Sequence, residues 1–243
     1  MPALLTPGTL VELPAGPAQH LTRVLRLAPG AQLTAFNGLG GEFDAVIEGV
    51  HRSIVTVRIG IHHAVERESP LDITLLQGIA RGEKMDLILQ KATELGVARI
   101  VPLTTTRSTV RLTADTAARK QEHWQGVVAS ACEQCGRNRV PAVATPVALA
   151  EAVQAASPGL NLVLTPAAEA ESLGTLFARH GKPEKLPPVA LLIGPEGGLD
   201  APEVSAARLA GFVGCRLGPR ILRTETAALA ALAALQSVAG DFA

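Results

Sequence analysis

The sequence predicts an α/β protein: a small β-rich N-terminal domain, residues 1–69, followed by a parallel-sheet domain, residues 70–243. Three observations carry this. Up to Ser69-Pro70, apolar and polar residues alternate with the period of strands. From Leu71 onward, short apolar runs alternate with helix-period segments, the pattern of strand–helix–strand units. Hydrophobic residues make up 47% of the 243 and charged residues 18%, enough to fill a sizeable core.

In the first domain, HLTRVLRL (His20 to Leu27) reads as a short helix with Leu21, Val24 and Leu25 on one side. His20, Arg23 and Arg26 then face solvent or a ligand and give the domain a basic edge. QLTAFNG and GEFDAVIEG read as two strands joined by the glycine-rich turn Asn37 to Gly41. That GLGG is a hairpin turn and not a nucleotide loop, because position 43 is Phe43 and a strand follows it. SIVTVRIGIHHAV is a further strand, with His62 and His63 at its end.

In the second domain, LDITLLQGIA reads as a buried strand. GEKMDLILQKATELG is an amphipathic helix with Met85, Ile88, Leu89, Ala92 and Leu95 on one face, and Gly96 ends it. ARIVPLTT is the next strand. TADTAARKQEHWQGVVASACEQCG is a long helix with an acidic residue near its start, and TPVALAEAVQAA is another helix. LNLVLTP, PVALLIG and FVGCRLG read as three more buried strands. The Ala/Leu-rich run from Thr224 is the last helix, with Thr224 placed to cap it. The whole predicts a parallel sheet covered on both faces.

Composition narrows the function. Lys plus Arg and Asp plus Glu are both 22, so the chain is not a generally adhesive nucleic-acid binder. Aromatics are 2%, too few for gripping single strands by stacking. Three cysteines make no disulfide framework, and Cys132 and Cys135 of CEQC share one helix face, which points to packing. A zinc site wants about four ligands at suitable spacing, so no metal is expected. No apolar run reaches the ~20 residues of a membrane span, and MPALLTPGTLVELP has no signal-peptide pattern. The expectation is a soluble, cytoplasmic protein without a membrane partner.

In open parallel sheets, ligands bind beyond the carboxyl ends of the strands. Three loops leave apolar strands there: Thr165-Pro166, GPEGGL (Gly194 to Leu199) and GPRILR (Gly218 to Arg223). Glycine lets backbone approach a ligand, and proline fixes loop shape. Neither the phosphate-loop nor the dinucleotide pattern is present, and Glu196 would repel a phosphate. The loops suit a cationic ligand, or one with ribose hydroxyls to satisfy.

LLIGPEGGL with LGPRILRTETA resembles the SPOUT methyltransferases, in particular the RsmE family, which methylates N3 of a uridine in 16S ribosomal RNA. KMDLILQKATELGV, IVPLTTTRS, HWQ and CEQCGRN resemble that family too, and HLTRVLRL with FNG resembles its PUA-like RNA-binding domain. The resemblance covers nearly the whole chain. It implies a trefoil-knotted C-terminal domain, a homodimer, and S-adenosylmethionine as cofactor. Its partner would be 16S rRNA in the assembled small ribosomal subunit. Leu164, Thr165 and Pro166 would form one wall of the cofactor site. Ile193, Gly194, Pro195, Glu196 and Gly197 would line the ribose and sulfonium side. Leu217, Gly218, Ile221 and Leu222 would wrap the adenine and methionine portions, and Thr226 would anchor the cofactor from the helix start.

The N3 of uracil carries a proton and is a poor nucleophile until that proton leaves. Arg223 or Arg220 is therefore expected to stabilise the anion, and Glu196 is a weaker candidate for accepting the proton or meeting the sulfonium. The RNA is expected on Arg107, Ser108 and Arg111 of TTTRSTVR, extended by Arg81, Lys84, Arg137 and Arg139, with Arg23 and Arg26 in the first domain. Two rivals remain: a related enzyme acting on a ribose hydroxyl or another base, and a non-catalytic RNA-binding assembly factor on the same fold. A dinucleotide enzyme lacks its fingerprint.

Overall fold

Strands β1 (Leu10–Glu12), β2 (Gln32–Ala35), β3 (Glu42–His51) and β4 (Ile54–His63) form an antiparallel sheet in the order β1-β4-β3-β2. The computed structural model describes residues 4–110, 112–166, 170–180 and 187–242. The strand alternation read from sequence is the burial pattern observed: Phe43, Ala45 and Ile47 of β3 face Val55, Val57 and Ile59 of β4. Ala18 of the short helix α1 (Ala15–Gln19) closes that core. Gly38, Gly40 and Gly41 take positive φ in the turn between β2 and β3, as the hairpin requires.

The helix read over HLTRVLRL is corrected. The α-helix precedes it, and His20–Val24 forms one π-helical turn. Val24 and Leu25 are 65% and 51% exposed, so no apolar stripe is buried there. Arg26 takes φ +52°, which ends the turn, and Arg23 and Arg26 are both exposed as expected.

Five residues from the middle of the chain complete this unit, which comprises the chain up to Arg67 together with Gly136–Val140. Arg67 donates to Glu42 at 2.7 Å and to the carbonyl of Gly136 at 3.0 Å. Gly40 N–H donates to the carbonyl of Asn138, whose amide donates to Val65 O. Arg139 pairs with Glu66 at 2.7 Å.

The second unit, Glu68–Cys135 with the chain from Pro141 onward, is a parallel sheet with helices. Its elements in order are β5 (Ile73–Gly78), α2 (Glu83–Glu94), β6 (Arg99–Thr104), α3 (Ala114–Cys135), β7 (Ala142–Val143), β8 (Val147–Ala148) and α4 (Leu149–Gln154). They continue with β9 (Leu160–Leu164), β10 (Glu171–Ser172), α5 (Leu173–His180), β11 (Val189–Ile193), α6 (Ala201–Leu209), β12 (Val213–Arg216) and α7 (Thr224–Ala239). The strand order is β10-β12-β9-β11-β5-β6-β7, with β8 also on β6. All five residues of β11 are buried, which is why it reads as a continuous apolar run: both faces of the sheet are covered.

On one face, Leu76, Leu103, Val163 and Leu192 pack with Leu149, Ala152 and Val153 of α4 and Ala207 of α6. Elsewhere α2 packs against α3 and α7. Met85, Ile88, Leu89 and Ala92 of α2 are buried as its periodicity predicts, and Gly96 follows at φ +78°. α4 is shorter than the sequence pattern, because Val147–Ala148 is drawn into the sheet as β8. Cys132 is buried and Cys135 half-buried, one turn apart at the end of α3. Asp200 caps α6 in a reciprocal box with Glu203, its carboxylate accepting from Glu203 N–H at 2.8 Å.

Candidate functional site

The three loops singled out by sequence leave three adjacent strands. β12 pairs β9, and β9 pairs β11, so Cys215 lies beside Leu164 and Val163 beside Leu192. Thr165, Gly194 and Leu217 therefore start their loops along one edge of the sheet, and β5 continues that edge with Ile193 beside Gln77. Thr165 N–H donates to Cys215 O at 3.0 Å, holding the first loop to the third strand.

Thr224 ties this edge together. Its hydroxyl donates to Gly194 O at 2.7 Å and accepts from Gln77 Nε2 at 2.9 Å. The expected capping role is corrected: Arg223 occupies the N-cap position of α7, and Thr224, only 6% exposed, is its first helical residue. Its oxygen is engaged by the sheet and not by its own helix. Two buried acceptors at this junction have no hydrogen-bond partner among the described residues, Gln77 Oε1 and Glu225 Oε2. Buried polar atoms in folded proteins are nearly always partnered, so both oxygens call for a donor from water or from a ligand.

Backbone crowding explains the glycines. A Cβ on Gly78 would lie 2.5 Å from Pro195 N, and one on Gly194 would lie 2.9 Å from the carbonyl carbon of Gly198. Gly198 and Gly218 take positive φ, +69° and +75°, and a Cβ on either would meet open space. Two neighbouring loops brace GPEGG. Arg81 N–H donates to Glu196 Oε1 at 3.0 Å, and Arg107 donates to Gly197 O at 3.1 Å. Thr106 N–H donates to Glu203 Oε1 at 2.7 Å.

Electrostatics concentrate on Lys84. Its ammonium stands 3.6 Å from Glu196 Oε1 and 3.8 Å from Glu225 Oε1, one cation between two carboxylates. Burial pushes the Glu196 carboxyl up. That is outweighed by the N–H groups of Arg81 and of Glu196 itself and by the Lys84 charge, so its pKa lies below the ordinary range. A carboxylate held in that state is a weak proton acceptor and a good neighbour for a cation.

The structure brings together Leu164, Thr165, Ile193, Gly194, Pro195, Glu196 and Leu217 on one sheet edge. Ile193 and Pro195 are buried within it, while Pro166, Gly197 and Gly218 are exposed and Leu222 is half-buried. Ile221 is 85% exposed, and Arg220, Arg223 and Thr226 are exposed as well. Of the residues expected to meet RNA, Arg81 and Arg107 are exposed but partly engaged, Arg81 also through Thr109. Ser108 donates to Ile79 O at 3.4 Å. Arg137 is only 5% exposed and lies in the five-residue segment of the first unit, so it presents little surface. Arg111 lies outside the described residues. Sequence reasoning missed Gln77 and Glu225; the TETA that follows the loop was the available signal. Among the described residues, no three His, Cys, Asp or Glu side chains group as metal ligands.

This architecture has known counterparts. A family model described as an RNA methyltransferase domain matches residues 67–236, and one described as an RNA methyltransferase PUA domain matches residues 18–60. Fold and site thus define an enzyme of the RNA methyltransferase class with a PUA domain at its N-terminal end. Ribosomal RNA small subunit methyltransferase E of Buchnera aphidicola is 34% identical over 96% of this chain and 92% of the relative. The protein of the same name from Bacillus subtilis is 32% identical over 89% and 85%. The chain belongs to the ribosomal RNA small subunit methyltransferase E family. Among solved structures, the Neisseria gonorrhoeae member bound to S-adenosyl methionine aligns at 39% identity and TM-score 0.88, over 100% of this chain and 98% of that one. A Legionella pneumophila structure described as a methyltransferase in complex with the cofactor SAM aligns at 44% identity and TM-score 0.91, over 99% and 96%.

Proposed function

We propose that this protein methylates N3 of a uridine in 16S rRNA, using S-adenosylmethionine, on the assembled small ribosomal subunit. The observation that carries the reading is the convergence of three proline-containing loops, two of them with glycine, on one sheet edge, pinned by Thr224, in a chain whose relatives are solved with that cofactor bound.

The residues fit the group. Backbone is packed so tightly at Gly78, against Pro195, and at Gly194, against Gly198 and Leu199, that no side chain fits at either position. Gln77 Oε1 is a buried acceptor with no partner among the described residues, and Glu196 supplies negative charge for a cation. Leu164 to Pro166, Ile193 to Gly197, and Leu217, Gly218, Ile221 and Leu222 would hold the cofactor, with Thr226 at the helix start. When bound, S-adenosylmethionine supplies an electrophilic methyl carbon whose bonding pair departs with sulfur. Alignment of that carbon with the nucleophile is the main lever the loops provide. Exposed Arg220 and Arg223 would stabilise the uridylate, and Arg81, Lys84, Arg107 and Ser108 would extend the RNA contact. In the first unit, Arg23 and Arg26 support RNA binding by residues 1–69. The trefoil knot, a homodimer and a cytoplasmic setting complete the reading, with residues 70–243 as the catalytic domain.

The test is methyl transfer from labelled S-adenosylmethionine to small subunits from a strain lacking this enzyme, followed by nucleoside analysis. 3-Methyluridine is the expected product. A different methylated nucleoside would overturn the specificity, and absence of cofactor binding would overturn the activity.

A further inference from the structure

Glu225 occupies an unusual position for an acidic residue in the first turn of a helix. Its neighbour Thr224 is fastened to Gly194 and Gln77, so the carboxylate is held at the edge where the three loops meet. The Lys84 ammonium stands 3.8 Å from Oε1. Oε2 is shielded from solvent and has no hydrogen-bond partner among the described residues, and the side chain as a whole is 14% exposed. A buried charged oxygen left without a partner is costly, so the position calls for an explanation, and a catalytic role is one that its place in the site supplies. The other acid at the junction is already committed: Glu196 Oε1 accepts from Arg81 N–H and faces Lys84.

We infer that Glu225 is the catalytic residue that accepts the proton from the N3–H of the target uracil. The inference rests on the proposed reading of the site as an N3-uridine methyltransferase centre. The N3–H bond breaks and its electron pair stays on nitrogen, where it becomes the nucleophile. The proton forms an O–H bond with Oε2, and the resulting carboxylic acid returns it to water after the turnover. Arg220 and Arg223 stabilise the uridylate formed, which offsets the weak basicity of a carboxylate.

The test is Glu225→Gln, which keeps shape and volume but cannot accept a proton. Three measurements are made: thermal melting, S-adenosylmethionine affinity by calorimetry, and labelled methyl transfer to small subunits across pH. We expect unchanged melting, affinity within about threefold of the parent, and transfer at neutral pH reduced by about 10²–10⁴, the usual range for general base catalysis. The deficit should shrink as pH rises, because N3 then loses its proton unaided, and Glu225→Asp should recover part of the rate. Transfer within threefold of the parent would overturn the proposal. So would a rate loss independent of pH, or a loss matched by an equal fall in cofactor affinity, which would make Glu225 a cofactor ligand. If the parent protein itself binds no S-adenosylmethionine, the underlying reading fails, and this proposal with it.

Discussion

Removing the Thr224 hydroxyl would take a partner from Gly194 O and from one of the two Gln77 Nε2 hydrogens, the other still reaching Gly78 O. Thr224→Val keeps the side-chain shape, so its cost is that of unmade buried hydrogen bonds, about 1–3 kcal/mol. Urea unfolding should show that loss, and calorimetry should show weaker S-adenosylmethionine binding; an unchanged midpoint would refute the account. The sequence showed that a hydroxyl belonged here, but not its use. Its partners stand 147 and 30 residues away, and nothing in local pattern encodes pairing at that distance. Glu196 carries a pH prediction. Its folded pKa is lowered, so its bonds to Arg81 and Lys84 stabilise fully above the unfolded value of about 4.3, and that contribution is lost as pH falls through the folded value. The effect of Glu196 on melting temperature should therefore change only in acid: the parent and Glu196→Gln should differ by a constant amount from pH 6 to 8, and the gap should close below about pH 4. A gap that widens on acidification would have the opposite sign and defeat the assignment.

Loops and strands respond to substitution by different physics. Gly78 ends β5 against Pro195, where an added methyl has no room, whereas Gly218 opens onto free space and is constrained only by its φ of +75°. Gly78→Ala should therefore force GPEGG aside, costing about 1–3 kcal/mol as overpacking does, with cofactor affinity falling in step. Gly218→Ala should cost about 1–2 kcal/mol of backbone strain. Denaturant titration with calorimetry separates the two, and equal losses of affinity would argue against the distinction. At this scale the sequence was most readable where an element is long and one-sided. The apolar stripe of α2 and the buried run of β11 were both legible. The two-residue strands β7, β8 and β10 were not, since alternation needs at least four residues to show. The π-helical turn at His20 misled because a helix-like spacing of Leu21, Val24 and Leu25 covers no core.

Zero net charge and scarce aromatics shape the behaviour of the whole protein. Generic attraction to polyanions is weak, so the proposed recognition would rest on a pre-shaped RNA surface and a few cations. Assembled small subunits should be methylated far faster than a short unstructured oligonucleotide carrying the same uridine. Comparable rates on both would contradict that. The division near residue 69 was visible as a change of periodicity, but a one-dimensional reading cannot see a chain that returns. The long helix is read from sequence as running to CEQCG, and nothing in that pattern shows that Gly136–Val140 belong to the first unit. That return has a consequence for how the protein is made. Arg67, Glu66 and Gly40 meet partners that are translated some seventy or more residues after them. On a translating ribosome the N-terminal sheet can pair early, yet it stays unfinished until Val140 has left the exit tunnel. Nascent chains halted before and after that point should differ sharply in protease resistance of their first 67 residues, so maturation here is timed by the ribosome's progress through the second half of the message.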